Sequence, residues 1–188
     1  MNSLIKPREQ QDVGGNKESH SNFEDNGQYL TFLQQGEMFA VGILGIKEII
    51  EYANLTTVPL MPKFISGVIN IRGAVVPVID LSARFGREAA VTTRRSCIVI
   101  IETDNEGEKI DIGIIVDAVS EVLEIPEKDI EPAPHFGANI RADFISGMGK
   151  INDEFVIILD IGHVLSIDEM GELVGIDTGS PVHGVNNL

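Results

Sequence analysis

FISGVINIRGAVVPVIDLSARF, at residues 64–85, occurs a second time in this chain, as FISGMGKINDEFVIILDIGHVL at residues 144–165. The two copies align without a gap at a spacing of 80 residues, and seven of the 22 aligned residues are identical. At most other positions one apolar residue replaces another. The shared residues therefore belong to a repeated scaffold, and the positions that differ between copies are the first place to look for function.

Each copy predicts two short strands followed by a helical turn. In the first copy the strands lie near residues 66–71 and 75–79, and Arg72-Gly73 joins them, with Gly73 suited to a positive φ. Asp80 then has the position of an N-cap for a helix over residues 81–85 that Gly86 ends. Asp160 has the same position in the second copy. We interpret this carboxylate pair as two helix caps rather than as a catalytic acid and base.

The repeat extends beyond the central segment. Residues 28–51 predict three strands with a hairpin at Gln35-Gly36, and residues 97–125 repeat this order, with Gly113 matching Gly42 and Glu121 matching Glu48. An antiparallel unit of five strands buries one apolar face by curling into a barrel or by packing on another sheet. The sequence therefore predicts an all-β fold of two five-stranded barrels, roughly residues 28–90 and 91–165, with a groove between them.

Both ends of the chain predict little structure. Residues 1–27 have no apolar periodicity and are read as a disordered, acidic-leaning arm, and residues 171–188 as a C-terminal tail. No stretch is apolar and long enough to cross a bilayer, and the arm lacks the apolar run of a signal peptide. We expect a cytoplasmic protein without direct membrane insertion.

Composition narrows the classes of partner. With 14 basic and 29 acidic residues the net charge is −15, which disfavours nucleic acid and anionic lipid. Four arginines between the repeat halves are interpreted as offsetting this charge or meeting an acidic partner: Arg84, Arg87, Arg94 and Arg95. The single cysteine, Cys97, begins the apolar run CIVII and is predicted to be a buried strand residue.

The sequence has only weak matches, or none, to known catalytic and cofactor-binding motifs. The D-T-G-S run at Asp177 has the form of an aspartic protease loop, but it occurs once, close to the chain end, whereas such an enzyme needs two carboxylates. No glycine-rich phosphate loop occurs, and the histidines are dispersed without metal-ligand spacing. The sequence predicts a protein that is not an enzyme, with no cofactor and no metal; an aspartyl hydrolase using Asp177 is the alternative from another class.

The order of motifs resembles the CheW family, the adaptors of bacterial chemotaxis arrays. The resemblance covers roughly residues 28–170 and rests on YLTF, GIKEII, FISGVINIRGAVVPVIDL, GIIVDAVSEVL, EPAPHF, FISGMGKI and FVIILDI. CheW-like domains also occur in the kinase CheA and in CheV. Here no kinase or receiver sequence accompanies the domain, which favours the free-standing adaptor.

This resemblance implies a fold of two interlocked, SH3-like five-stranded barrels with short helical turns. It also implies a function: coupling methyl-accepting chemoreceptors to the histidine kinase CheA without catalysis. The expected partners are the tip of the receptor's cytoplasmic hairpin and the regulatory domain of CheA, with the chain a monomer alone and assembled in membrane-associated arrays. A scaffold for another chemosensory pathway, in motility or development, is the alternative within this class.

By motif position the resemblance also implies a set of receptor-binding residues and one contact with the kinase or within a ring. The receptor-side set is Ile46, Glu48, Gly67, Arg72, Gly73, Gly113 and Val119; the kinase or ring contact is Phe136. The repeat supports Arg72-Gly73 independently, because Asn152 and Asp153 replace these residues in the second copy. The scaffold thus does not require an arginine there.

Two further expectations concern this set. Glu48 is placed to pair with Arg72 across neighbouring strands. Gly67 and Gly113, which recur in the repeat as Gly147 and Gly42, are interpreted as backbone requirements rather than as contacts with a partner.

Overall fold

A computed structural model describes residues 27–105, 107–133 and 140–166. Over these residues the chain forms eleven strands and two short α-helices, and the strands divide into one sheet of five and one of six. The predicted all-β class is confirmed. The sixth strand of the larger sheet is a two-residue strand that the repeat did not predict.

The five-stranded sheet has the order β3-β6-β7-β5-β4. Its strands are β3 (Ile46–Glu51), β4 (Ile65–Ile71), β5 (Ala74–Asp80), β6 (Cys97–Asn105) and β7 (Glu108–Val116). The six-stranded sheet has the order β8-β1-β2-β11-β10-β9. Its strands are β1 (Gln28–Gln34), β2 (Glu37–Gly42), β8 (Ala118–Glu124), β9 (Ile130–Glu131), β10 (Ile145–Ile151) and β11 (Glu154–Leu159).

Each sheet takes strands from both halves of the sequence repeat. The exchange occurs at two parallel pairs: β5 pairs with β7, where Val78 opposes Gly113, and β11 pairs with β2, where Ile158 opposes Ala40. Every other described strand pair is antiparallel. The boundaries at 28–90 and 91–165 therefore divide the repeat but not the sheets, and the halves are interlocked rather than side by side.

Three apolar clusters account for the packing. The largest draws buried residues from both sheets and both helices, so it joins the sheets. A second cluster, around Val78 and Ile98, contains residues of the five-stranded sheet and the adjoining residues Tyr52 and Leu55; a third, around Tyr29 and Ile158, belongs to the six-stranded sheet. Since each sheet also encloses a cluster of its own, both curl, as small barrels do. Strands such as β7 are consequently buried on both faces.

Short helices end the two copies of the repeat, α1 at Leu81–Arg84 and α2 at Ile161–Val164. Asp80 Oδ1 accepts a hydrogen bond from Ala83 N at 3.1 Å, and Asp160 Oδ1 accepts one from His163 N at 3.1 Å. These are the predicted N-caps. Asp80 also accepts from Ala90 N at 2.8 Å, so its carboxylate fixes the following loop as well.

Arg84 lies where the two copies meet. Its side chain is buried; Nε donates to the carbonyl of Val164 at 2.8 Å, and the guanidinium lies 5.1 Å from the Phe64 ring centre and 4.6 Å from that of Phe144. Phe64 and Phe144 are equivalent residues of the repeat, as are Arg84 and Val164. The interpretation of Arg84 as a surface countercharge is therefore wrong: it is a core cation held by aromatic faces and helix carbonyls.

Three other expectations turn out differently. Cys97 is only half-buried, because it is the first residue of β6, at the end of the sheet. Arg87 does meet an acidic side chain, but within the chain, at 2.7 Å from Glu37. The match of Gly42 with Gly113 is accidental, since the equivalent strand pairs place Ala40, not Gly42, in the position of Gly113.

Candidate functional site

The Arg72-Gly73 turn has a conformation that is costly for arginine. Arg72 has a φ of 51° and Gly73 a φ of 90°, the two positive values of a type I′ hairpin turn. Asn152 and Asp153 adopt the same turn in the second copy, with φ of 49° and 64°. Asparagine and aspartate tolerate this region, whereas arginine does so at a cost. The second copy forms this turn without an arginine, so Arg72 occupies a backbone conformation that the turn does not require an arginine to adopt and that arginine disfavours.

Arg72 pairs with Glu48, as the sequence predicted. Its Nη2 donates to Glu48 Oε2 at 3.2 Å, with 83% of the Arg72 side chain and 27% of the Glu48 side chain exposed. Glu48 lies on β3 and Arg72 directly follows β4. These strands are not hydrogen-bonded to each other, however, because they are the two outer strands of the five-stranded sheet. Curling of the sheet brings its two ends together, and the pair spans them at the surface.

A β-bulge in β3 sets the direction of Glu48. Ile46 opposes Ile101 of β6 while Glu48 opposes Ile100, so Lys47 is the additional residue. Without the bulge, Ile46 and Glu48 would face the same side. With it, Ile46 packs against the cluster that joins the sheets, and Glu48 faces the side of Ile100, in the cluster enclosed by its own sheet.

An ionic network lies beside this pair. Lys47 Nζ is 2.8 Å from Glu102 Oε2 and 2.7 Å from Asp111 Oδ1, and Lys109 Nζ is 2.8 Å from Glu102 Oε1. The hydrogen bonds from Lys109 and Lys47 lower the pKa of Glu102 to about 2, and those to Asp111 and Glu102 raise the pKa of Lys47. Lys47 and Lys109, whose pKa values are raised, and Glu102, whose pKa is lowered, are therefore charged at neutral pH.

Ile46 and Val119 occupy equivalent positions in the two sheets. Ile46 opposes Ile101, and Val119 of β8 opposes Phe32; both are half-buried and pack against the cluster that joins the sheets. The sequence placed both residues in the receptor-binding set without recognising their equivalence. They mark the rim of the junction between the sheets on each side.

Gly67 and Gly113 are internal. A Cβ on Gly67 would lie 2.5 Å from the Thr56 carbonyl oxygen, and its φ of 151° also disfavours a side chain. A Cβ on Gly113 would lie 2.8 Å from Ile98 Cγ2 and 3.2 Å from Val78 Cγ2. Both are buried, so neither presents an atom to a partner in the way that Arg72 does. Gly67 meets the backbone requirement expected of it, whereas the expectation for Gly113 is wrong in its reason, because Gly113 makes room for side chains rather than for a special backbone conformation.

Four sequence predictions lie outside the described residues: the N-terminal arm up to residue 26, the C-terminal tail at residues 171–188, the kinase or ring contact at Phe136, and the D-T-G-S run at Asp177. Within residues 27–105, 107–133 and 140–166, no three histidine, cysteine, aspartate or glutamate side chains converge in a way that would hold a metal ion. Over the same ranges, neither α-helix nor any 3-10 turn has the length and apolar character needed to span a membrane.

Sequence reasoning missed the ionic network entirely. Lys47, Glu102 and Asp111 are far apart in sequence, and their contact depends on the pairing of β6 with β7 and on the bulge. No feature of the sequence IKEIIE marks Lys47 as part of this network. The bulge itself leaves no mark in that pattern.

Comparisons with known proteins agree with this architecture. The CheW-like domain family matches residues 28–169. The chemotaxis protein CheW of Klebsiella aerogenes is 33% identical over 143 residues, covering 76% of this chain and 84% of the relative. That of Bacillus subtilis is 36% identical over 138 residues, covering 72% of this chain and 85% of the relative.

A solved structure extends the similarity to three dimensions. The scaffolding protein TtCheW from Thermoanaerobacter tengcongensis superposes with a TM-score of 0.66 at 35% identity, over 73% of this chain and 86% of that one. Sequence and fold thus agree over most of both chains. This chain belongs to the CheW-like domain family and is a non-catalytic adaptor of bacterial chemotaxis.

Proposed function

We propose that this adaptor couples methyl-accepting chemoreceptors to the histidine kinase CheA in signalling arrays. The tip of the receptor's cytoplasmic hairpin binds along the junction of the two sheets, and the regulatory domain of CheA binds elsewhere on the chain. The adaptor is cytoplasmic and reaches the membrane-associated array through these partners. One observation carries the proposal: an exposed arginine in a left-handed conformation, oriented by Glu48.

Backbone strain at an exposed residue supports a binding role for Arg72. A left-handed conformation costs an L-residue about 1–2 kcal/mol, and an exposed ion pair returns roughly 0–1 kcal/mol. The pair with Glu48 therefore does not offset the strain by itself. Gln35 adopts the same conformation in the β1–β2 turn, so it is the charge that distinguishes Arg72: a guanidinium held at a fixed point offers directed hydrogen bonds to a carboxylate or a backbone carbonyl of a partner.

Two partly exposed apolar residues belong to the proposed binding surface. Ile46 of the five-stranded sheet and Val119 of the six-stranded sheet lie half-buried against the cluster that joins the sheets and leave part of each side chain accessible. An amphipathic helical hairpin presents apolar side chains flanked by charged ones, which would suit a surface that carries these residues together with Arg72 and Glu48. Gly67 and Gly113 contribute indirectly, by keeping the five-stranded sheet in shape. Gly73 contributes by allowing the turn.

The kinase-facing or ring-facing contact is assigned to Phe136. Phe136 lies outside the described residues, so this assignment rests on the family resemblance of the PAPHF motif alone.

The test is direct binding. The purified chain is mixed with a receptor signalling-domain fragment and, separately, with the regulatory domain of CheA, and retention is measured by co-sedimentation or calorimetry. We expect both partners to be retained. Arg72→Glu is expected to abolish receptor binding and to leave kinase binding intact.

Arg95→Glu is the matched control, because it reverses the charge of another exposed arginine outside the proposed surface. It is expected to bind both partners as the wild type does. Retention of the receptor fragment by a folded Arg72→Glu variant would remove Arg72 from the binding surface. Retention of neither partner by the wild type would favour a different chemosensory pathway.

A further inference from the structure

Lys47 shares the β3 bulge with Glu48, and its contacts favour one orientation of that bulge. Lys47 Nζ reaches Glu102 and Asp111, which oppose each other on β6 and β7. Glu102 is two residues along β6 from Ile100, so it lies on the face of the sheet toward which Glu48 points. The two bulge residues therefore direct their charged groups to the same side, one toward the network and one toward Arg72.

The same bulge occurs in the second copy, where a different interaction holds it. Between the pairs Leu30/Val122 and Phe32/Val119, β8 has two residues where β1 has one. That one residue is Thr31, which lies opposite the bulge. The Thr31 hydroxyl, which is buried, donates to the Glu121 carbonyl at 2.8 Å and accepts from Glu121 N at 3.3 Å. A hydroxyl bonded to both groups of one bulge residue fixes its backbone.

The first copy lacks that hydroxyl. Ile100 occupies on β6 the place that Thr31 has on β1, because Ile100 opposes Gly113 as Thr31 opposes Ala40. An isoleucine cannot hydrogen-bond the backbone of Glu48. Lys47, at the position equivalent to Ser120, instead has two carboxylates within 3 Å. The bulge in β8 is thus bonded to a side-chain hydroxyl on the neighbouring strand. The bulge in β3 has only the ion pairs of Lys47 in its place.

We propose that Lys47 is a positioning residue for the Glu48–Arg72 pair: its ion pairs with Glu102 and Asp111 hold the β3 bulge in the form that delivers the Glu48 carboxylate to Arg72. Lys47 need not touch the receptor to act in this way. Its effect on receptor recognition rests on the proposed function, whereas its effect on the bulge and on the pair does not.

The variant that tests this is Lys47→Met, which removes the charge and keeps an unbranched side chain. Lys109→Met is the matched control, because it also removes one positive charge and one partner of Glu102 but lies outside the bulge. Two measurements are made on each variant: amide hydrogen exchange at Glu48 and Ile49 together with the Arg72 guanidinium Nη signals by NMR, and the affinity for a receptor signalling-domain fragment.

We expect Lys47→Met to speed exchange at Glu48 and Ile49, to loosen the hydrogen bond from Arg72 Nη2 to Glu48, and to weaken binding about two- to fivefold. Lys109→Met should match the wild type in both measurements, and Lys47→Arg should restore both. Equal exchange in Lys47→Met and Lys109→Met would overturn the inference. So would unchanged affinity of Lys47→Met in a chain that binds the receptor. A wild-type chain that does not bind the fragment would overturn the proposed function alone, since the exchange measurement still decides the role of Lys47.

Discussion

Replacing Arg72 with asparagine separates the stability of the β4–β5 turn from its function. Asn152 shows that asparagine suits this position, since it has a φ of 49° in the equivalent turn against 51° at Arg72. Relief of left-handed strain contributes about 1 kcal/mol to stability. The lost pair with Glu48 is mostly exposed and is worth roughly 0–1 kcal/mol. The variant should therefore be as stable as the wild type, or more stable by up to about 1 kcal/mol.

Receptor binding should change in the opposite direction. A charged residue that anchors an interface costs about 2 kcal/mol or more when it is lost, which corresponds to at least tenfold weaker binding. Urea unfolding measures stability, and titration with a receptor signalling-domain fragment measures affinity. The reverse change, Asn152→Arg, serves as the control and should cost about 1 kcal/mol of stability without affecting receptor binding.

Two results would refute this reasoning. If Arg72→Asn lowers the free energy of unfolding by clearly more than 1 kcal/mol, the ion pair with Glu48 is structural and outweighs the strain. If the variant is stable and binds the receptor as the wild type does, the strained arginine has another purpose.

Three further predictions follow from the fold. Gly113→Ala should lower the free energy of unfolding by about 1–3 kcal/mol in urea, because its Cβ would lie 2.8 Å from Ile98 Cγ2, and unchanged stability would contradict the internal role of this glycine. Asp80→Ala should cost about 1–2 kcal/mol, and more than Asp160→Ala, because only Asp80 also holds Ala90 N; equal costs would show that this second bond is unimportant. The pKa of Glu102 is lowered to about 2 from its ordinary 4.5, so its contribution to stability is complete above pH 4.5 and disappears as the pH falls toward 2. Glu102→Gln should therefore be less stable than the wild type at neutral pH and approach it near pH 2, and a difference that does not depend on pH would contradict the role of its charge.

The turns and helix caps of the fold could be predicted from the sequence because residues close together in the chain determine them. The hairpin at Gln35-Gly36, the turn at Gly73 and the caps at Asp80 and Asp160 depend on residues close in the chain. Because the sequence is repeated, the turn and the cap were each predicted once in either copy. Hydrophobic alternation located most strands, although it could not reveal that β7 is buried on both faces.

The exchange of strands between halves was beyond local reasoning. A duplicated unit that closes on itself and one that swaps hairpins with its copy have the same hydrophobic pattern, since either arrangement buries the same faces. The burial of Arg84 was equally unforeseen, since its guanidinium lies against Phe64 of one copy and Phe144 of the other. A cation in a surface-like sequence, DLSARFGR, gave no indication of it.

Part of the candidate site was predictable and part was not. Arg72 stood out because the second copy replaces it, and the pair with Glu48 was predicted from charge, although the strands assumed to be neighbours are the two outer strands of the sheet. The bulge that makes this pair possible inserts one residue into β3 and turns Ile46 and Glu48 to opposite faces, but no feature of the sequence IKEIIE marks it. Lys47 and its carboxylate partners could therefore be recognised only from the strand register.

Kinase activation tests the central claim most directly, because an adaptor must join two partners and not merely bind each. CheA autophosphorylation is measured with receptor signalling domains, with this chain, and with both together. The account predicts that activity rises only when all three are present, and that Arg72→Glu removes the rise while Arg95→Glu keeps it. Kinase activity that is the same with and without the wild-type chain would contradict coupling as its function.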